Sequence, residues 1–294
     1  PNYVNAHYNL GNIFQELGNL QDAQNYYQKV LEIDPNYANA HNNLGAIFKE
    51  LGEIEKAKEC YEKAIEINPN YALARDNLKI LLNEQILLSK IEKAKKSQNG
   101  NKISFIKKIR KKLFGSDLRL NSNPFISYRN VEEELINKIY QLNYKYLDKT
   151  NGTFYGNGRH SGDFQLFKND CSILKKVEDE LTIIMKQAVK SDIFIMESFF
   201  NILSNGGGSN WHGHISTWDE LNNLKKQKYS LTYHIAIGDQ KSNEPGILKF
   251  KDPEEEVLPS KGMVMIFPAD RKHAAAYNGS IDRVMIGVNF YSYF

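Results

Sequence analysis

The first 68 residues repeat with a period of 34, which restricts what this part of the chain can become. Residues 1–34 align without a gap on residues 35–68 and share 19 of 34 positions. A third copy opens at Pro69-Asn70-Tyr71 and drifts away after Leu78. A period of this length belongs to stacked helix–turn–helix units, each of which buries its apolar face on its neighbour. Pro1, Pro35 and Pro69 mark where a helix must stop, because proline lacks the N–H and clashes with the preceding turn. Gly18 and Gly52 fall between the paired helices. Gly11 and Gly45 lie inside the first helix of each pair, where a missing side chain lets the second helix approach, and Ala23 and Ala57 do the same from the facing helix. Pro1 is already a repeat-boundary residue, so the sequence reads as entered within a repeat.

The Leu-Gly pair, the aromatic residue three positions on (Phe14, Phe48), the small residue of the second helix and the closing proline resemble the tetratricopeptide repeat over about residues 1–85. That resemblance implies a right-handed superhelix whose concave face binds a protein or peptide. Asn5, Asn9, Asn12, Asn39 and Asn43 are candidates to line it and grip a peptide backbone; equally, they form a solvated polar face. His7 and His41 occupy equivalent repeat positions, so they read as packing or surface residues.

The chain has 294 residues, 41% hydrophobic and 25% charged, with mean hydropathy −0.54. No run approaches the roughly 18 apolar residues of a spanning helix, and no charged-then-apolar signal segment follows the start. Two cysteines, Cys60 and Cys171, exclude a disulfide framework and a cysteine zinc site, and point to a reducing, cytoplasmic setting. The net charge of +3 conceals an asymmetry: residues 90–119 carry eleven Lys/Arg against Glu92 and Asp117, a local +9. Ile103, Ile106, Ile109 and Leu113 recur there at near-helical spacing. The stretch reads as a solvated connecting helix; a basic amphipathic helix also suits an anionic surface or an acidic partner. No specific nucleic-acid partner is expected.

Beyond about residue 123 the period changes. Val131–Leu147 and Ser172–Val189 carry helical apolar spacing, separated by a Gly-rich aromatic loop from Asn151 to Phe167. Short β-like runs follow at Ile193–Leu203, Tyr229–Ile237, Ile247–Phe250, Met263–Phe267, His273–Tyr277 and Arg283–Tyr293, punctuated by glycine-rich turns. Two helices followed by about six to eight strands indicate a double-sheet jelly roll with helices on one side. The expected organisation is α+β: repeats over 1–88 (two full repeats and a partial or capping helix), a basic linker helix over 89–122, and a jelly roll over 123–294.

Four of the seven histidines fall between 212 and 273. In Trp211-His212-Gly213-His214, an extended backbone would send residues two apart to the same side, so both imidazoles can reach one ion. His273 follows Phe267-Pro268-Ala269 just before a strand, and Arg283 opens the last strand ten residues later. Neighbouring ligands, a third from a distant strand and open positions form the arrangement of non-haem Fe(II) oxygenases. His160 and His234 read as ordinary core or surface residues.

This constellation resembles the 2-oxoglutarate- and Fe(II)-dependent oxygenase superfamily, in particular bacterial and phage-like members of prolyl-hydroxylase type that carry tetratricopeptide repeats. The resemblance covers roughly residues 123–294. It implies His212 as first metal ligand, His273 as distal ligand and Arg283 as the residue binding the far carboxylate of 2-oxoglutarate. Glu244-Pro245-Gly246-Ile247-Leu248 and Lys261-Gly262-Met263-Val264-Met265-Ile266-Phe267-Pro268 match supporting strands of the family. Two departures stand out. His214 occupies the place of the family's Asp or Glu, so either three histidines bind the metal or Asp219 reaches in. Met285 replaces a Ser or Thr, so the missing hydroxyl would come from Tyr229 or Tyr233. Arg159 and Asp163 in the Gly-rich loop are candidates to hold substrate or to form a structural pair. The expectation is an Fe(II)- and 2-oxoglutarate-dependent dioxygenase acting on a protein, peptide or small molecule, with the repeats for partner binding. The alternatives are a repeat-mediated binding module with a structural metal site, and a cupin-like three-histidine enzyme.

Overall fold

The structure is a computed structural model and describes residues 3–97, 124–147 and 153–293. The chain divides into two compact units, Pro1–Lys90 and Ile91–Phe294. The expected linker helix falls outside the described residues beyond Ser97.

The first unit contains α1 (Val4–Glu16), α2 (Leu20–Ile33), α3 (Ala38–Glu50) and α4 (Ile54–Ile67). A fifth helix, α5 (Ala72–Ser97), runs past the expected boundary at residue 88. Two equivalent hairpins, α1–α2 and α3–α4, pack around a shared core that includes Tyr27, Val30, Leu44, Ile47, Tyr61 and Leu81. Gly11 and Gly45 face the rings of Tyr27 and Tyr61, which leave no room for a Cβ. The asparagines divide. Asn43 donates to Asn12 Oδ1 at 3.1 Å and to the Tyr27 hydroxyl at 3.1 Å, and Asn5 accepts from Tyr37 at 3.2 Å. These three amides therefore tie one hairpin to the next, whereas Asn9 and Asn39 are exposed.

The second unit is built on two antiparallel sheets. Its strands are β1 (Phe125–Tyr128), β2 (Tyr144–Tyr146), β3 (Phe154–Tyr155), β4 (Gly158–Ser161), β5 (Ile193–Leu203) and β6 (Gly207–His212). There follow β7 (Lys228–Ile237), β8 (Pro245–Phe250), β9 (Glu255–Val257), β10 (Met263–Pro268), β11 (His273–Tyr277) and β12 (Arg283–Ser292). The larger sheet runs β1-β10-β7-β12-β5-β4-β2 and the smaller β3-β6-β11-β8-β9. The fold is thus α+β, with repeat helices followed by a double-sheet jelly roll. Helices α6 (Glu133–Gln141) and α7 (Ser172–Val189) cover one face of the larger sheet, and α8 (Thr217–Leu221) follows β6.

Alternation sorts the strand residues. Val264 and Ile266 of β10 join the helix-side core with Leu135, Ile139, Leu174 and Leu181, while Met263, Met265 and Phe267 pack between the sheets. Similarly, Tyr229, Leu231, Tyr233 and Ile235 of β7 and Val284, Ile286, Val288 and Phe290 of β12 all join the helix side. The other face of both strands is left for the space between the sheets.

Three sequence expectations need correction. The helix expected over Val131–Leu147 ends at Gln141, and the chain turns into β2, whose Tyr144-Lys145-Tyr146 is exposed throughout. The Gly-rich loop contains β3 and β4, because Gly158 lets its backbone lie against Ile202 of β5 where a Cβ would collide. Strands β1, β6 and β9 are also additional to the expected runs: β1 and β9 are short, and β6 begins on glycines.

Gly45→Ala provides a test of the repeat packing. Helix propensity alone favours alanine by ~1 kcal/mol. The new Cβ would lie 2.6 Å from the fully buried Tyr61 ring, and such overpacking costs about 1–3 kcal/mol. The substitution should therefore lower the thermal midpoint of the helical signal. An unchanged or raised midpoint would contradict the packing described.

Candidate metal centre

His212 ends β6 and His273 opens β11, and the two are direct cross-strand partners. Such partners project from the same face with Cβ atoms about 5 Å apart. Their ring centroids are 4.3 Å apart. His214 lies just beyond β6 and is pinned by its backbone N–H, which donates to Ala269 O at 2.7 Å. Its ring centroid is 5.0 Å from that of His212 and 5.2 Å from that of His273. One ring nitrogen from each of the three lies within 4.8 Å of the others.

The backbone also orients two of the rings. His212 Nδ1 donates to Asn210 O at 2.7 Å, and His273 Nδ1 donates to Arg271 O at 3.2 Å. In each neutral ring this places the proton on Nδ1 and leaves Nε2 as a lone-pair donor. His212 Nε2 is buried without a hydrogen-bond partner. Burial lowers the pKa of all three, with neighbouring rings adding to the effect at His214 and His273; for His273 it falls to about 3. The three rings are therefore neutral at pH 7.

Asp219 does not share this point. It is fully buried in α8, where it accepts from Ser216 N at 2.8 Å and Lys228 Nζ at 2.8 Å, and from the Tyr291 hydroxyl. Both carboxylate oxygens are committed, and the capping box fixes the side chain away from the histidines. Among the described residues the group able to converge on one ion consists of His212, His214 and His273.

The histidines line a cleft between the sheets together with Arg283, Thr232, Ser230, Met285 and Asn289, walled by Phe154, Phe199, Leu248 and Phe267. Arg283 is only 3% exposed. It donates to Gly246 O and approaches His234 Nδ1 at 3.4 Å. Gly246 has φ +82°, and any Cβ there would land on the guanidinium, so glycine is required twice over. Burial lowers the arginine pKa to about 10. No carboxylate forms an ion pair with Arg283 among the described residues. Such a buried cation is costly unless a ligand supplies the anion.

Tyr229 and Tyr233 do not supply the hydroxyl expected of them. They point to the helix side of β7, where Tyr229 stacks on Phe290 and Tyr233 donates to Asn130 O and accepts from Arg129. Thr232, one position from Tyr233, does face the cleft, and its buried Oγ1 has no partner. His234 is no inert core residue: its Nδ1 faces the Arg283 guanidinium, so its proton sits on Nε2, which is buried and unpartnered. Alternation along β7 was the available signal for both.

Arg159 pairs with Ile202, a helix-side core residue, and so faces away from the metal cluster. Its guanidinium lies 5.2 and 5.0 Å from the Tyr140 and Tyr144 rings and 3.5 Å from Asp282. Asp163 is an exposed turn residue that accepts from Gln165 N at 3.1 Å. The structure brings neither residue to the cleft.

Residues 2–70 match the family model described as Tetratricopeptide repeat, so the N-terminal hairpins are tetratricopeptide repeats. A search of curated proteins finds no match. Among solved structures, MamA is 29% identical over 28% of this chain and 48% of its own, with a TM-score of 0.27. The first tetratricopeptide module of Spaghetti, bound to the HSP90 peptide SRMEEVD, is 22% identical over 29% of this chain and 68% of its own, TM-score 0.28. An oxidoreductase of the 2OG-Fe(II) oxygenase family from Burkholderia pseudomallei is 10% identical over 55% of this chain and 78% of its own, TM-score 0.40.

The depressed histidine pKa values predict the pH response of the metal-free protein. An unfolded imidazole protonates near 6.5, whereas His273 resists protonation down to about 3. Between those values the unfolded chain binds more protons, so stability falls as pH drops through that window. Each such ring contributes up to ~1.4 kcal/mol per pH unit. Urea unfolding from pH 7.5 to 5 should show this loss, and His273→Asn should reduce its slope. A slope unchanged by that substitution would contradict the burial described.

Proposed function

We propose that the jelly roll is an Fe(II)- and 2-oxoglutarate-dependent dioxygenase and that the repeats serve as its partner-binding module. The observation that supports this most is Arg283: a buried guanidinium without a protein anion, in the same cleft as three converging neutral histidines. Three imidazoles suit iron, and buried Nε2 of His212 lacks any other partner, so the residues present fit the metal. Iron, when bound, would supply oxidative decarboxylation of 2-oxoglutarate coupled to hydroxylation of a C–H bond.

The chain's own contributions follow from the residues. His212 and His273 are set by backbone carbonyls to present Nε2. Arg283 offers a fork of N–H donors that matches a carboxylate in a bidentate way, which a lysine ammonium does not. Thr232 Oγ1 and His234 Nε2–H are buried donors without partners. Leaving such groups unpaired costs about 1–3 kcal/mol each, and Thr232, which lines the cleft with Arg283, is the one that a carboxylate bound there could satisfy. Phe154, Phe199, Leu248 and Phe267 exclude water around these groups. A divalent ion and the guanidinium together match a dianionic co-substrate in charge.

A cupin-like or purely structural three-histidine site is the second reading, favoured by the neutral third histidine. It gives Arg283 no task. The substrate is a protein, peptide or small molecule; a peptide is the kind of partner that tetratricopeptide concave faces accept.

Purified protein should form succinate from 2-oxoglutarate only when Fe(II) is present, and His273→Ala should abolish both turnover and metal retention. Arg283→Ala should keep the metal while weakening 2-oxoglutarate binding roughly 30-fold or more, since a buried charge-assisted pair is worth on the order of 2–5 kcal/mol. Equal 2-oxoglutarate affinity with and without Arg283 would favour the structural-metal reading.

A further inference from the structure

His214 differs from its two neighbours in how its ring is held. Its Nδ1 faces no carbonyl; it lies 3.5 Å from Asn289 Nδ2. Asn289 is only 4% exposed, sits on the cleft face of β12, and is the direct cross-strand partner of Glu197 on β5 and Ser230 on β7. Its Nδ2 donates to Glu197 Oε2 at 2.6 Å, and its Oδ1 accepts from Ser230 Oγ at 2.8 Å.

A carboxylate has acceptors only, so Glu197 obliges Asn289 to turn its NH₂ this way. The second N–H of that amide then meets His214 Nδ1, which accepts it. A neutral imidazole accepting at Nδ1 carries its proton on Nε2. Either way a proton obstructs ligation by His214. If Nδ1 faces the common point, the amide N–H occupies its lone pair; if Nε2 faces it, that nitrogen is itself protonated. His212 and His273 carry no such obstruction, since their Nδ1–H groups donate to carbonyls.

We propose that Glu197, acting through the Asn289 amide, withholds His214 from the metal, so that two histidines form the standing ligands and the third is latent. This rests on the reading of the three histidines as a metal site. Full ligation by His214 requires the Asn289 amide to turn over and offer Oδ1 to Nδ1–H. That movement would set Oδ1 against the Glu197 carboxylate, two acceptors face to face. Ser230 tolerates either orientation, because a hydroxyl both donates and accepts. Glu197 is thus the restraint, and it holds a carboxylate one residue behind His214, the histidine that stands where the resembling family has its carboxylate ligand. Both residues are positioning residues in this account.

Two measurements test the relay. The first titrates Co(II) into the full-length metal-free protein, wild type and Glu197→Gln. A glutamine amide can donate to the turned Oδ1, so E197Q should bind Co(II) roughly 10-fold or more tightly, the range that outer-shell partners command. Adding His214→Ala to E197Q should erase that gain. Equal or weaker binding by E197Q, or a gain that survives without His214, would overturn the proposal. The second measures ¹⁵N shifts of the metal-free wild-type protein: His214 should be protonated at Nε2, with His212 and His273 protonated at Nδ1. His214 protonated at Nδ1 would overturn the relay, and this arm requires neither a variant nor a bound metal. Absence of Co(II) binding in every variant would instead refute the metal site itself.

Discussion

A guanidinium buried without a counter-ion is the constraint on which the rest of this site depends. Arg283 opens the last strand, and the missing Cβ of Gly246 clears the space it occupies. Its carbonyl and imidazole contacts satisfy donors but do not neutralise charge. A fold carries that cost only where something compensates it, and the compensating group in this reading is the far carboxylate of a bound dianion. The hydroxyl of Thr232 points to the same conclusion, since it is a buried polar group of the cleft lacking a partner in the protein.

Strand alternation is what makes one sheet serve two purposes. Odd positions of β7 and even positions of β12 build the apolar layer beneath α6 and α7, and the intervening positions deliver Ser230, Thr232, Arg283 and Asn289 to the cleft. A one-residue slip in either strand would exchange the two sets. The smaller sheet contributes two of the candidate metal ligands through a single cross-strand pair, His212 and His273. Apolar packing therefore sets the register, and the register sets the chemistry.

Much of this was legible in the residues. The 34-residue period locates the hairpins, and the β-like runs between turn residues locate the strands that carry His273 and Arg283. What failed did so for identifiable reasons. Their hydroxyls nominate Tyr229 and Tyr233, but the strand's period of two sends both to the opposite face. Charge and nearness in sequence nominate Asp219, but Ser216 three residues earlier makes it a capping residue, and Lys228 and Tyr291 come from strands whose nearness no local pattern reveals. Arg159 lay next to a turn in the sequence and within β4 in the fold, where cross-strand pairing with Ile202 decided its direction. Asn289 and Glu197 carry no motif at all and matter only because the register of β5 and β12 places them opposite each other.

The central claim is that one cleft holds a metal on His212 and His273 and an anion on Arg283. A crystal structure of the protein grown without oxygen, with Fe(II) and 2-oxoglutarate, tests both halves at once. The account predicts metal density bonded to Nε2 of His212 and Nε2 of His273, with the far carboxylate of 2-oxoglutarate paired to the Arg283 guanidinium. Metal bound elsewhere, or a 2-oxoglutarate whose far carboxylate makes no contact with Arg283, would contradict it.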